Sequence, residues 1–197
     1  MREEIRVRVK AFRRALELAA VERSGEPVPV VWRDFLKSFP RGCCELASQT
    51  LVQYLKDHDD HVFPYVIAMQ WNDNQTLHGH VMVALDGEYI DLTLDQFDGY
   101  DDYIVAEPIE SSGQLGTFIQ HVRHQDGAIT TRKLTFDGIP DDNKKLYAWL
   151  KDTADSLLVA AEQESIPCRL LSPLSMDIPP EYRDKTVTGP SDKKFSP

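Results

Sequence analysis

The sequence predicts an α+β domain in which an antiparallel sheet packs against helices. Three observations lead there. Patterns of helical period lie at both ends of the chain, and a series of β-branched and aromatic stretches separated by turn residues fills the middle. An Asp86-Gly87 pair between two of those stretches marks a tight hairpin, because a two-residue type I′ loop needs positive φ at both central positions.

The elements follow in order. Residues 2–23 place Ile5, Val9, Phe12, Leu16 and Ala19 at helical spacing, and Ser24-Gly25-Glu26-Pro27 ends the pattern. Residues 28–39 read as a short helix or turn that packs Trp32 and Phe35 and closes at Pro40. A second helix is expected over 43–57, with Ala47, Leu51, Tyr54 and Leu55 on one stripe. VFPYVIAM (62–69), HVMVAL (80–85) and YIDLTL (89–94) are the central strands. Further short strands are read at 103–106, 117–124 and 129–136, the last two around Asp126-Gly127. After Pro140 a long helical pattern carries Leu146, Trp149, Leu150, Thr153, Leu157, Leu158 and Ala161, with acidic residues at its start, as the helix dipole prefers. Residues 1–166 are therefore expected to form one domain, and the Pro-, Ser- and Lys-rich stretch 167–197 a flexible tail.

Composition narrows the function. The 197 residues hold 22 Lys plus Arg against 32 Asp plus Glu, a net charge of −10. That balance argues against nucleic acid or an anionic membrane as the main partner, since both are bound through clustered cations. No apolar run approaches the roughly 20 residues of a membrane span, and the opening MREEIRVRVKAF lacks the apolar core of a leader. Two of the three cysteines are adjacent, so a disulfide framework is not expected. The expectation is a reduced, cytoplasmic protein, with signal-independent export left open.

Two stretches carry chemistry. In FPRGCCELASQTLVQYL, Pro40 and Gly42 lead into a helix whose first turn holds Cys43 and Cys44. The positive end of a helix dipole and its unpaired N–H groups favour a thiolate there, and could receive an oxyanion when the sulfur attacks a carbonyl. In HGHVMVALDGEYIDLTLDQF, a two-residue loop at Asp86-Gly87 pairs Leu85 with Glu88, so Met82 faces Asp91 and His80 faces Thr93. His80 and Asp91 then become diagonal neighbours on one face, within reach of an imidazole–carboxylate hydrogen bond. Val81, Val83, Leu85, Ile90 and Leu92 fall on the opposite face as a continuous apolar set. Together these residues supply a nucleophile (Cys44), a base (His80) and an orienting acid (Asp91).

That chain order and those element types resemble the papain-like and transglutaminase-like superfamily of cysteine enzymes. More narrowly, the chain is similar to small bacterial proteins with a helix-opening G-x-C-x-x-x-S motif and an H-x-W-[apolar]…D-[apolar]-T-x-D-Q-F motif. The matching stretches are Gly42 to Ser48 and His80 to Phe97, and the resemblance covers roughly residues 38–106. It implies a papain/transglutaminase topology, Cys44 rather than Cys43 as nucleophile, and an acyl-enzyme made from an amide or thioester in a protein, peptide or small-amide substrate. It implies no cofactor. Met82 stands where the family has Trp, and no Gln precedes Cys44 to serve an oxyanion hole. Gln70, Trp71, His78 and Gln96 are the candidates for the oxyanion hole and cleft, Trp71 standing in a loop, QWNDNQTLHG, just before His80.

Two other readings belong to different classes. A binding, adaptor or immunity module on the same fold would leave the triad vestigial. A zinc site from Cys43, Cys44, His78 and His80 has the right ligand types, but structural sites space their cysteines by two to four residues.

Overall fold

The computed structural model describes residues 1–21, 36–133 and 141–165. The elements are α1 (Glu3–Val21), α2 (Cys44–His58), β1 (Tyr65–Asp73), β2 (Thr76–Leu85), β3 (Glu88–Asp91), a 3₁₀ turn (Leu94–Gln96), β4 (Ile104–Pro108), α3 (Gln114–His124), β5 (Ala128–Arg132) and α4 (Asp141–Ser165). The expected Trp32 and Phe35 packing, the residues beyond Arg132 in the last expected strand from 134 on, and the 167–197 tail lie outside the described residues. The five strands form one sheet of order β4-β3-β2-β1-β5, and every neighbouring pair is antiparallel.

Strict alternation along β1 and β2 divides the core in two. Val66, Val81, Val83, Leu85, Ile90 and Leu92 point to one face, where α1, α2 and α4 cover them with Phe12, Leu16, Leu51, Leu55, Leu146 and Leu150. Ile67, Met69, Trp71, Met82, Ala84 and Tyr89 point to the other, where α3 covers them with Leu115, Phe118, Ile119 and Val122. The five apolar residues that define α1 are all buried. In α4 the buried set is Leu146, Tyr147, Leu150 and Ala154, so the expected stripe is rotated and its far end, at Ala161, is exposed.

Three expectations need correction. Residues 117–124 are not a strand but most of α3. Thr117, Phe118, Ile119 and Val122 favour β locally, yet Leu115, Phe118, Ile119 and Val122 recur at helical spacing, and burial of that stripe on the sheet prevails. The buried Glu107 carboxylate fixes the start of α3 by accepting hydrogen bonds from the Leu115 and Gly116 N–H groups at 3.0 and 2.9 Å. Second, the polar stretch ahead of His80 is not a loop. β1 continues to Asp73 and turns at Asn74-Gln75, whose φ values of 48° and 68° make a tight hairpin without glycine. Third, β3 stops at Asp91, because the Thr93 N–H turns back to donate to the Asp91 carboxylate at 2.8 Å.

One buried cation joins α1 to the stretch after β3. The Arg13 guanidinium donates to both oxygens of Asp95, at 3.0 and 2.7 Å, to Glu17 at 2.9 Å and to the Leu92 carbonyl. It also lies over the rings of Phe39 and Tyr103, at 4.6 and 4.9 Å. Burial works against its charge, but the hydrogen bonds it donates to Asp95 and Glu17 outweigh that and hold its pKa above the ordinary value. Arg13→Met should cost about 3 kcal/mol in chemical denaturation, since it leaves Asp95 half-buried without its partner. A loss under about 1 kcal/mol would show that the pair behaves as a surface ion pair.

Candidate active site

The chain reaches α2 through a turn in which Gly42 holds φ +70°, a conformation that side chains resist. Cys43 is the N-cap and Cys44 the first helical residue, and the cap offers no side-chain hydrogen bond to the first turn. The two thiols face different surroundings. Cys43 is fully buried, its sulfur 3.5 Å from the Arg41 carbonyl, and burial, aided by Cys44, pushes its pKa up to about 11. Cys44 is half-buried and opens onto a cleft of about 480 Å³.

That cleft is bounded by the first turn of α2 and by a patch of the sheet. Cys44 and Glu45 form the helical side; Ala68, Gln70, Gly79, His80 and Thr130 are among the residues on the sheet side. The registers Gln70↔Gly79, Gln70↔Ala128 and Ala68↔Thr130 surround Gln70 with the short side chains of Ala68, Ala128 and Thr130 and with Gly79, which leaves the space open. At the rim Arg132 of β5 pairs with Glu45.

His80 is 1% exposed and Asp91 fully buried. The hairpin register begins as expected, with Leu85 opposite Glu88 and Val83 opposite Ile90. His80 Nε2–H donates to Asp91 Oδ2 at 2.5 Å. The other carboxylate oxygen accepts from the Thr93 N–H at 2.8 Å and from its hydroxyl at 3.4 Å. Both oxygens are thus engaged, which settles which way the carboxylate faces. His80 does not sit opposite Thr93 in a ladder, since β3 has ended. The rings of Phe97 and Phe118 stand nearly perpendicular to the imidazole, with centroids 4.9 and 5.5 Å from it.

Cys44 and His80 line the same cleft. Burial lowers the His80 pKa, but the charge and hydrogen bond of Asp91, followed by a hydrogen bond and charge from Cys44, push it up to about 9. Cys44 and His80 thus share the cleft, and Asp91 backs the imidazole from the core.

The four cleft candidates have different fates. Gln70 lines the cleft. Trp71 does not: it is 6% exposed, stacked on its cross-strand partner His78 at 5.4 Å and edge-on to Phe118 at 5.5 Å. His78 does not line the cleft either, and the zinc grouping falls apart with it, because Cys43 and His78 point elsewhere. Among the described residues no three His, Cys, Asp or Glu side chains stand close enough to hold a metal ion. Gln96 spends its amide on Gly42, Thr93 and His80. Met82 is fully buried in the second core and does not line the cleft. Sequence reasoning missed Arg13 and Phe118. The spacing of Arg13, four after Val9 and three before Leu16 on the buried side of α1, was the available signal for the first, and the misread helix hid the second.

No family model matches the chain, and no solved structure matches it. Two curated relatives do. They are the "uncharacterized protein YuaU" of Escherichia coli strain K12, 50% identical over 108 residues, and its namesake in strain UTI89 / UPEC, 49% identical over 108 residues. The match covers 55% of this chain and 49% of each relative, so the chain spans about half the length of the curated relatives it matches. Among the described residues no helix is long and apolar enough to cross a membrane.

The raised His80 pKa carries a pH signature. An unfolded-chain imidazole titrates near 6.5, so the stability contributed by the charged form is fully present below about that pH and is lost as the pH rises through about 9. Urea midpoints should fall between pH 6.5 and 9.5, and Asp91→Asn should flatten that fall. A mutant profile parallel to wild type would show that Asp91 does not hold the proton on His80.

Proposed function

We propose that this chain is a Cys-His-Asp enzyme that acts on amide or thioester carbonyls through an acyl-enzyme, on a papain/transglutaminase-like topology. One observation carries the reading: a buried imidazole held by a carboxylate at 2.5 Å lines the same open cleft as the thiol on the first residue of a 15-residue helix.

The chemistry follows from the atoms. His80 Nδ1 takes the proton of the Cys44 thiol, and the charged ring is stabilised by Asp91 through Nε2–H. The sulfur attacks the carbonyl carbon, and the carbonyl π pair moves to oxygen. That oxygen is received by the uncapped N–H groups of the first turn of α2, with the Gln70 amide the neutral donor in the cleft. The imidazolium returns its proton to the leaving amine or thiol as the carbonyl re-forms. Water or an amine, deprotonated by the same Nδ1, then displaces the sulfur and frees the enzyme. Peptidase, deamidase and acyl-transfer reactions share this first half and differ in the acceptor. Cys43 takes no part, since burial keeps its proton in place.

Iodoacetamide at pH 6 tests the pair without a known substrate. Wild type should be alkylated at Cys44 at least about 10-fold faster than an ordinary thiol, with labelling lost in Cys44→Ala and slowed in His80→Ala. Labelling at the ordinary rate, unchanged by His80→Ala, would instead leave a binding module with an idle thiol. Asp91→Asn should keep the fold and lower acyl transfer about 100-fold or more, because the tautomer is no longer fixed.

A further inference from the structure

The Asp95-Gln96-Phe97 stretch lies outside the three catalytic groups, yet each of its side chains is committed around them. Asp95 is tied to Arg13 by two hydrogen bonds, and Phe97 packs on the edge of His80. Gln96 occupies the centre. Its Oε1 accepts from the Gly42 N–H at 3.2 Å, and its Nε2 donates to the Thr93 carbonyl at 2.8 Å. The same nitrogen lies 3.3 Å from His80 Nδ1.

Two of these partners leave the amide no choice of orientation. Gly42 offers only a backbone N–H, so an oxygen must face it, and Thr93 offers only a carbonyl, so the NH₂ must face that. The group presented to His80 is therefore a donor, and Nδ1 meets it as an acceptor. At the far side of the ring Nε2–H is committed to Asp91. In the neutral ring the two contacts select one tautomer, with the lone pair on Nδ1. Gln96 also joins the two halves of the site, because Gly42 opens the turn that sets down Cys44.

Building on the Cys-His-Asp reading above, we infer that Gln96 is a positioning residue: it clamps the turn before α2 against His80 and, through its donor contact, favours the neutral ring with the lone pair on Nδ1. Of its two donor contacts, the one to Thr93 is shorter and anchors the amide. The longer one to Nδ1 gives way when the ring takes up the thiol proton.

Two variants separate this role from mere support. Gln96→Leu removes both ends of the clamp, whereas Gln96→Glu keeps an acceptor for the Gly42 N–H and turns a carboxylate toward Nδ1. The first measurement is the NMR titration of the His80 ring in a Cys44→Ala background, which leaves Asp91 and residue 96 as the groups acting on it. The midpoint should rise on Gln96→Leu, because a donor to the neutral ring is gone, and rise by about 1 unit or more on Gln96→Glu. Midpoints that stay put, or fall toward the ordinary histidine value, would overturn the assignment. If Gln96→Leu does not fold, Gln96→Glu decides alone. The second measurement uses chains that keep Cys44: iodoacetamide labelling of Gln96→Leu at pH 6 should slow about 10-fold at an unchanged melting temperature, and an unchanged rate would also overturn it. Ordinary labelling of wild-type Cys44 would defeat the enzyme reading, while the His80 titration would still decide the part played by Gln96.

Discussion

A charge-assisted hydrogen bond between His80 and Asp91, buried between two hydrophobic layers, is the constraint around which the middle of this chain is arranged. A charged imidazole and a carboxylate without solvent are costly unless each finds partners. Here the carboxylate has three donors, from His80, the Thr93 N–H and the Thr93 hydroxyl, and the imidazole has Asp91 on one nitrogen and Gln96 near the other. Those partners account for the early end of β3 and the 3₁₀ turn that follows it. A hairpin that continued in register would have carried Thr93 away from the carboxylate it satisfies.

The braces extend well beyond the hairpin. Arg13, from the first helix, holds Asp95; Asp95 fixes the backbone next to Gln96; Gln96 reaches the turn that delivers Cys44. Phe97 and Phe118 close off the ring from the second face of the sheet. The site is thus assembled from both layers, with its reactive end at the one place where α2 begins and the sheet beneath it is lined by Ala68, Gly79 and Ala128. Short side chains there do for the cleft what bulky ones do for the core on either side.

Much of this was legible in the residues. The Asp86-Gly87 turn fixed the pairing of Leu85 with Glu88, and from it the neighbourhood of His80 and Asp91, because a two-residue loop leaves no freedom of register. The helical stripe of α1 and the start of α2 were equally plain. What escaped were features set by tertiary partners. Asn74-Gln75 carries none of the glycine that advertises a tight hairpin, so Trp71 and His78 looked like loop residues beside the cleft when they are a stacked cross-strand pair. Residues 117–119 favour strand by local propensity, and only the second apolar face of the sheet makes a helix of them. The role of Gln96 depends on an approach of Gly42 across 54 positions of sequence, which no pattern of period 2 or 3.6 reports.

The central claim is that the sulfur of Cys44, driven by this imidazole, forms a bond to a carbonyl carbon. Intact-mass spectrometry after brief exposure to a small activated thioester tests it most directly. The account predicts a single acyl group on Cys44 that forms within the dead time at neutral pH, decays on dilution into amine, and forms orders of magnitude more slowly in His80→Ala. An adduct spread over the three cysteines, or one that accumulates as fast without His80, would contradict it.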